Sequence, residues 1–394
     1  MHAATVLQRS LGPAFEAMHA LRRRTVLLAV RALIASRHLV QIELARFWPG
    51  AVKVEAPLKR LDRLLSNPRL HAEVDGLYQA MAHRLICSPQ PILVVDWSMV
   101  GLKDRYAVLR AAIPFGGRAL TIYEQVFPAE QQGSKKAEDR FLAKLHELVP
   151  CTTTPVIVVD AGFRTRWFRA VEALGWAVIG RLRHITKVRA DGSTAWIDGK
   201  SLHPRATHRP TDLGVHLQAL RQRWPCRLIG YRKAPRGRHH LTRQGTRSAD
   251  TKSLDAAQRE REPWILMAST SLKLNADQIV AIYRKRMQIE EAFRDLKSHR
   301  YGRGFEDSLT RIGKRLTVLL LLDALATFAA WIVGTKAKEQ QLDLYLAPGK
   351  SMRDAYSIVR LGWEALKHRW LRTDELLQHL RNNGHAPPAS GAWC

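Results

Sequence analysis

Two acidic residues each follow a short run of apolar residues. Asp96 follows residues 91–95 (PILVV), and Asp160 follows residues 155–159 (PVIVV). Runs of this kind predict buried strands, so each acid is expected where its strand leaves the core. Ligands gather at such an edge in α/β sheets, and a buried carboxylate is costly without a partner. A metal ion or a base is therefore expected near each acid, and the alternative is an Asp that caps a helix or starts a turn.

A third acid lies on a helix predicted from about Ala276 to Ser298. At 100° per residue, five polar side chains fall within about 80° on one face of this helix: Tyr283, Arg286, Glu290, Arg294 and Lys297. An acid there can bind a metal while the cations bind phosphate. The alternative is a solvated face with i,i+4 salt bridges. Apolar residues at adjoining positions, such as Ile289 and Phe293, favour a helix held near the sheet.

Three carboxylates from separate segments, with basic residues beside one of them, predict phosphoryl transfer by two metal ions. Mg²⁺ is the expected metal because it prefers oxygen ligands, and Mn²⁺ can substitute for it. We expect Asp96 to bridge both ions, with Asp160 on one ion and Glu290 on the other. Glu124 is a further candidate near the metals, with a polar position on a strand as the alternative.

The charge of the chain indicates a polyanionic partner. Its 394 residues include 63 Lys plus Arg against 35 Asp plus Glu, which gives a formal net charge of +28. Nucleic acid is the commonest partner of such a surface, because phosphates release counterions when Lys and Arg bind them. On charge alone, a membrane surface or a ribosome would also fit.

Three motifs resemble those of a known family. The pattern Tyr283-x2-Arg286-x3-Glu290-x6-Lys297 resembles the YREK signature of cut-and-paste DDE transposases from bacterial insertion sequences. The sequences VVDWS at residues 94–98 and VVDAGF at residues 158–163 are similar to that family's first and second acidic motifs. The resemblance covers roughly residues 20–335. It implies an α/β fold with an RNase H-like mixed sheet and a β-rich insertion between the second and third acids.

The resemblance also implies an activity and partners. A transposase of this kind nicks double-stranded DNA at terminal inverted repeats, forms and resolves hairpins, and joins the freed ends to target DNA. Two ends are synapsed, so a homodimer is expected. A nuclease of the same fold that does not rejoin DNA, and a non-catalytic DNA-binding protein derived from a transposase, are the alternatives.

The resemblance further implies individual DNA contacts. In the family, the tyrosine, arginine and lysine of the signature contact DNA near the cleaved phosphate, which implies that role for Tyr283, Arg286 and Lys297. Arg181 matches an arginine that contacts the transposon end, with Arg183 as the alternative. Trp264 resembles a tryptophan that stacks on a flipped base, and a tryptophan in a core strand is the alternative.

Changes in composition and apolar patterning along the chain predict five regions. They are a helical DNA-binding domain at residues 1–88, the catalytic core at residues 89–186 and 263–335, a basic β-rich insertion at residues 187–262, and a C-terminal helical region with a possible dimer contact at residues 336–394. For the first region, a plain helical bundle with a basic solvated face is the alternative. A mobile loop is predicted within the insertion, at residues 234–252.

One segment is apolar enough to cross a membrane. Residues 316–334 (LTVLLLLDALATFAAWIVG) approach the length of a membrane span. Asp323 near the middle would cost about 2.5–3.5 kcal/mol in a bilayer, so we predict a buried core helix and no membrane partner. A basic membrane protein built around this segment is the alternative. The four cysteines include no C-x-x-C pair, which favours a reducing cytoplasm. The resemblance to transposases of bacterial insertion sequences implies that this cytoplasm is bacterial and that the protein lies on the nucleoid.

Overall fold

A computed structural model describes residues 2–183, 185–233, 246, 249–251, 262–346 and 356–382. The chain forms two compact units, the first from Met1–Thr154 with Met287–Cys394 and the second from Pro155–Arg286. Most of the loop predicted at residues 234–252 lies outside the described residues, as does the C-terminal segment after residue 382. The predicted mixed α/β class, with helices before and after the strands, is confirmed.

Helices make up most of the first unit. They are α1 (His2–Ser10), α2 (Gly12–Glu16), α3 (Ala20–Ser36), α4 (Gln41–Arg46), α5 (Glu55–Leu65), α6 (Pro68–Leu85), α7 (Lys135–Leu148), α10 (Met287–Lys297), α11 (Gly313–Glu339), α12 (Ile358–His368) and α13 (Thr373–Asn382). Local sequence sets several of their starts. The Asn67 side chain accepts hydrogen bonds from the first-turn amides of α6, and Ser134 caps α7 in the same way.

Three antiparallel strands complete the first unit, in the order β3-β2-β1. They are β1 (Ile92–Val100), β2 (Tyr106–Phe115) and β3 (Arg118–Pro128). Gly116 and Gly117 join β2 to β3, and both have the positive φ that a two-residue hairpin turn requires. The expectation that β1 ends at Asp96 was wrong. Backbone pairing with β2 continues to Val100. The apolar run marks only the most buried part of the strand.

The apolar segment forms α11, which lies inside the first unit. This helix is long and apolar enough to cross a membrane, but most of its apolar stretch is buried against other parts of the unit. Asp323 is buried there with Arg303, which donates a 3.2 Å hydrogen bond to Asp323 Oδ2. The segment is therefore buried within the unit, as predicted for a core helix.

The second unit has strands in the order β4-β5-β10-β9-β8-β6-β7. They are β4 (Val156–Val158), β5 (Ala177–Arg181), β6 (Lys187–Ala190), β7 (Ile197–Asp198), β8 (Thr211–Gln218), β9 (Trp224–Tyr231) and β10 (Trp264–Ser269). Strands β4 and β5 are parallel, and the other pairs are antiparallel. The unit also contains the helices α8 (Thr165–Ala173) and α9 (Ala276–Arg284). Most of the short strands between β5 and β10 were predicted as the β-rich insertion.

The helix predicted from Ala276 to Ser298 is two helices. Helix α9 ends at Arg284 and α10 begins at Met287. At the break, the amides of Lys285 and Arg286 donate to carbonyls three residues back instead of four. The prediction that five polar side chains share one face of a single helix was therefore wrong, because the helix is broken between Tyr283 and Glu290.

Candidate active site

Asp96 is part of a row of charged residues across the three strands of the first unit. It lies directly opposite Arg110 on β2, and Arg110 lies directly opposite Glu124 on β3. Paired residues of antiparallel strands point to the same face of the sheet. The Asp96 carboxylate also accepts a 2.9 Å hydrogen bond from the Trp97 amide, which orients one of its oxygens.

Arg110 and Glu124 form a buried ion pair beside Asp96. Arg110 Nε donates to Glu124 Oε2 at 2.8 Å, and the hydroxyl of Tyr78 donates to Glu124 Oε1 at 2.9 Å. Burial raises the pKa of Tyr78, and the Glu124 carboxylate raises it further. The Phe293 ring of α10 covers the other side of the pair, with its centroid 4.4 Å from Arg110 Cζ. Glu124 is thus the partner of a buried arginine.

Helix α10 carries two of the predicted site residues on one face. Glu290 and Lys297 are seven residues apart, which places them on the same side of a helix, and Phe293 between them packs on Arg110. Lys297 Nζ donates to the Met99 carbonyl of β1, the strand that carries Asp96. Burial lowers the pKa of Lys297, and the nearby carboxylates of Glu306 and Asp104 oppose that shift.

Arg294 follows Glu290 by one turn of α10, but its side chain extends into solvent. Its guanidinium forms an ion pair with Glu291, one turn back on α10, and its side chain is largely exposed. This is the i,i+3 pairing of a solvated helix surface. The placement leaves Arg294 available to solvent, and its predicted contact with phosphate stays a prediction.

Asp160 lies in a tight turn just after β4, in the second unit. The amide of Gly162 donates to Asp160 Oδ1 at 2.7 Å, and a Cβ added at Gly162 would lie 2.7 Å from the same oxygen. Only glycine allows this close approach without a shift. Arg183 donates to the carbonyls of Ala161 and Gly162, so it holds the turn from the outside.

Three predicted site residues of the second unit interact with a fourth, the buried Tyr283. Tyr283 is 5% exposed and forms a hydrogen bond with Arg286. Burial raises the pKa of Tyr283, Arg286 and Arg181 lower it, and Asp160 raises it. Arg286 thus contacts the Tyr283 hydroxyl directly, and Arg181 and Asp160 act on it through their charges. Arg181 Nη2 also lies 4.0 Å from Glu262 Oε2.

Trp264 lies at the centre of an aromatic cluster in the second unit. Its ring centroid is 5.2 Å from that of Tyr283 and 5.8 Å from that of Tyr231, both edge to face. Lys233 Nζ lies 5.9 Å from the Trp264 centroid, and Arg284 Cζ lies 5.0 Å from that of Tyr231. Trp264 is half-buried, which fits both a stacking role and a packing role.

The donor chemistry of the three acids suits a hard divalent cation, because each offers carboxylate oxygens and each is half-buried. Across the described ranges, no group of three or more His, Cys, Asp or Glu side chains is arranged to hold a metal ion together. Asp96 and Glu290 belong to the first unit and Asp160 to the second. Their shared role as metal ligands stays a prediction.

Sequence reasoning missed two residues that this geometry brings forward. Arg110 gave no signal because it lies inside an apolar strand, although a lone arginine between VL and AA indicates a buried partner. Gly162 was visible in the motif at residues 158–163, but its need for close approach to Asp160 depends on the turn geometry.

Comparison with known proteins gives the family. A family model described as "Transposase DDE domain" matches residues 88–327, well over half of the chain, so the chain belongs to the transposase DDE domain family. Membership implies a nuclease or transposase enzyme. Among solved structures, the chain is similar to one titled "Cryo-EM structure of piggyBac transposase synaptic complex with hairpin DNA (SNHP)". The identity is 11% and the TM-score 0.43, over 99% of this chain and 80% of that one. No curated protein matches.

Proposed function

We propose that this protein is a cut-and-paste DNA transposase of the YREK group, with an RNase H-like catalytic core. The observation that carries the proposal is the hydrogen bond between Arg286 and the buried hydroxyl of Tyr283, a hydroxyl on which the charges of Arg181 and Asp160 also act. A tyrosine and two arginines beside an acid are what phosphodiester recognition next to a metal ligand needs. The family match over residues 88–327 supports the same conclusion.

In this proposal Asp96, Asp160 and Glu290 hold two Mg²⁺ ions, or Mn²⁺ in their place. When bound, the ions activate the attacking oxygen and stabilise the leaving oxygen of an in-line displacement. Water or a DNA 3′-OH attacks, so no side chain forms a covalent intermediate. Glu124 has no place among the ligands, because Arg110 and Tyr78 already occupy both of its oxygens.

The cations position the DNA. Arg286 and Arg181, beside Tyr283, bind the phosphate next to the cleaved bond and the transposon end, and Lys297 and Arg294 bind phosphates along α10. In the structure Lys297 donates to the Met99 carbonyl, so DNA binding would require it to exchange that acceptor for a phosphate. Arg183 acts first on the Asp160 turn, through the carbonyls of Ala161 and Gly162.

Trp264 receives a base that leaves the helix during hairpin formation. Stacking on an aromatic ring is worth about 1–3 kcal/mol per base, which offsets an extrusion cost of a few kcal/mol. Lys233 beside the ring would hold the adjoining phosphate. The protein would act as a homodimer on two synapsed ends, on the nucleoid of a bacterial cytoplasm, with the helices of the C-terminal region as the candidate dimer contact.

A cleavage assay tests this proposal. Labelled DNA carrying the element's own ends is incubated with the protein in Mg²⁺, Mn²⁺ or EDTA. The wild type should nick the ends and give hairpins and joined products only with a metal. Glu290→Ala should bind the ends without cutting them. Glu291→Ala is the matched control, because it removes the neighbouring acid that pairs with Arg294, and it should cut.

Three results would overturn parts of the proposal. Binding without cutting under any divalent metal would favour the non-catalytic DNA-binding alternative. Cutting without joined products would favour the nuclease. If Glu291→Ala abolishes cutting and Glu290→Ala does not, the third acid is misassigned.

A further inference from the structure

A cleft of about 330 Å³ opens on the first unit, and its lining includes none of the three proposed catalytic acids. Arginines from four separate segments line it: Arg37 at the end of α3, Arg118 at the start of β3, Arg303 after α10, and Arg360 at the start of α12. We refer to it as the arginine cleft. Ligand sites range from roughly 300 to 1,000 Å³, so the arginine cleft has room for a small group such as one phosphate with its sugar.

Positive charge is only partly neutralised in the arginine cleft. Arg118 pairs with Asp295, and Arg303 pairs with Asp323. Arg37 and Arg360 share a single oxygen, with their Nη2 atoms 2.5 and 2.8 Å from Glu364 Oε1. Burial lowers the pKa of Arg360, and the charge of Arg37 lowers it further. Two guanidinium groups held at one carboxylate leave an excess positive charge that an anion would neutralise.

Two buried donors in the arginine cleft lack acceptors. Arg37 Nε and Trp363 Nε1 have no hydrogen-bond partner among the described residues, although both atoms are buried. The Trp363 side chain is 5% exposed and lines the cleft. A buried donor without an acceptor is unfavourable, because it has lost its hydrogen bond to water. Both atoms have almost no accessible surface, so a ligand in the cleft would meet them only after a small movement of the lining side chains.

Arg37 also has an unusual backbone. It ends α3 in the left-handed region, at φ 62° and ψ 15°, a position where glycine is usual. A residue with a side chain is disfavoured there. From this position the Arg37 side chain reaches the cleft lining, where it pairs with Glu364.

An exposed aromatic ring also lines the arginine cleft. Tyr301 is 75% exposed, and Arg300 Cζ lies 5.1 Å from its ring centroid. The loop that carries Tyr301 is held against α10, because a Cβ at Gly302 would lie 2.1 Å from the Asp295 carbonyl. An exposed ring beside an arginine suits contact with a sugar or a base next to the phosphate.

We infer that the arginine cleft binds a backbone phosphate of DNA, outside the proposed catalytic residues. The inference rests on the proposed function for the choice of DNA as the polyanion. The two donors without acceptors, and the Glu364 carboxylate shared by two arginines, indicate an anion with several acceptor oxygens. A phosphodiester supplies two free oxygens. The cleft therefore extends the DNA path onto the C-terminal part of the first unit.

The test measures DNA affinity against salt concentration, in EDTA so that no cutting occurs. Two duplexes are used, one with the element's ends and one without them. Arg360→Gln should weaken binding about tenfold and reduce the magnitude of the log–log salt slope by about 0.9, the value for one phosphate contact. Trp363→Phe should weaken binding about threefold or more with the slope unchanged, because it removes a donor and no charge.

Arg372→Gln is the matched control. It removes an equal charge from an exposed arginine that pairs with Asp374 and does not line the cleft. It should bind within twofold of the wild type. Loss on both duplexes supports a contact with any DNA backbone, and loss on only one identifies that DNA as the ligand.

Two outcomes overturn the inference. In one, Arg360→Gln and Trp363→Phe bind DNA with wild-type affinity and slope. In the other, inorganic phosphate raises the melting temperature of the wild type and not of Arg360→Gln, while DNA binding is unchanged, so the site takes a free anion. A wild type that binds no DNA would instead contradict the proposed function.

Discussion

Arg110 and Glu124 form an ion pair in the interior of the first unit, with 2.6 Å between Arg110 Nη2 and Glu124 Oε2 and each side chain 2% exposed. The pair continues the row that begins at Asp96, and the Phe293 ring covers it. Charges at this depth are stable only when they are paired and hydrogen-bonded, because both have lost their water. The pair therefore links the strand beside Asp96 to the helix that carries Glu290.

Arg110→Met should lower the free energy of unfolding by about 3–5 kcal/mol, because it leaves the Glu124 charge buried without its partner. Urea denaturation measures the change. Adding Glu124→Leu to this variant removes the orphan charge and should recover much of the loss. A double variant that is no more stable than Arg110→Met would contradict the account.

Gly162→Ala should reduce DNA cleavage by about 100-fold and leave DNA binding intact. The new Cβ would lie 2.7 Å from Asp160 Oδ1 and force the carboxylate to move, and a misplacement near 1 Å can cost about 100-fold in rate. Cleavage rate and duplex affinity are measured together. Gly76→Ala is the control, since no atom lies within 4 Å of its added Cβ, and it should cut at the wild-type rate.

The stability of the protein should depend on Tyr283 at high pH. Its pKa is raised in the folded state, so the folded protein binds the proton more tightly than the unfolded chain. The stabilisation is complete below the unfolded pKa of about 10 and is lost as pH rises through the folded pKa. Above pH of about 10, the wild type should therefore lose unfolding free energy faster than Tyr283→Phe.

Urea titrations at a series of alkaline pH values measure that difference. Tyr301→Phe is the control, because its ring is largely exposed, and its curve should follow the wild type. Parallel curves for the wild type and Tyr283→Phe would show that burial of this hydroxyl has no effect on proton binding.

Gly362→Ala should destabilise the first unit by about 1–3 kcal/mol, the usual range for overpacking. Helices α11 and α12 touch through their backbones here, and the added Cβ would lie 1.6 Å from the Ala330 carbonyl. Thermal unfolding and limited proteolysis of the C-terminal region report the change. Gly12→Ala, whose nearest neighbour is 3.9 Å away, should unfold like the wild type.

Regular elements with strong local signals were predictable from the sequence. Helix α7 begins directly after Ser134, whose side chain caps it, and strands β2 and β3 are joined by the pair Gly116 and Gly117. The length of β1 was not predictable, because the strand continues past Asp96 through pairing with β2.

The break between Tyr283 and Glu290 also escaped sequence reasoning. Helical propensity and apolar spacing continue across residues 285–286, so the pattern indicated one helix. The two halves belong to different compact units, and the packing of each half decides where each helix ends. Tertiary contacts commonly override such weak local preferences.

The sequence by itself determined the family and the candidate acids, because motif spacing is a property of the chain and needs no coordinates. It also determined the basic surface that predicts a DNA partner. Only the tertiary structure decided what surrounds those residues. Arg110 beside Asp96, Gly162 against Asp160, and the shared carboxylate of Arg37 and Arg360 all join residues through packing. Burial makes such contacts matter, because a charge or a donor removed from water must find its partner within the fold.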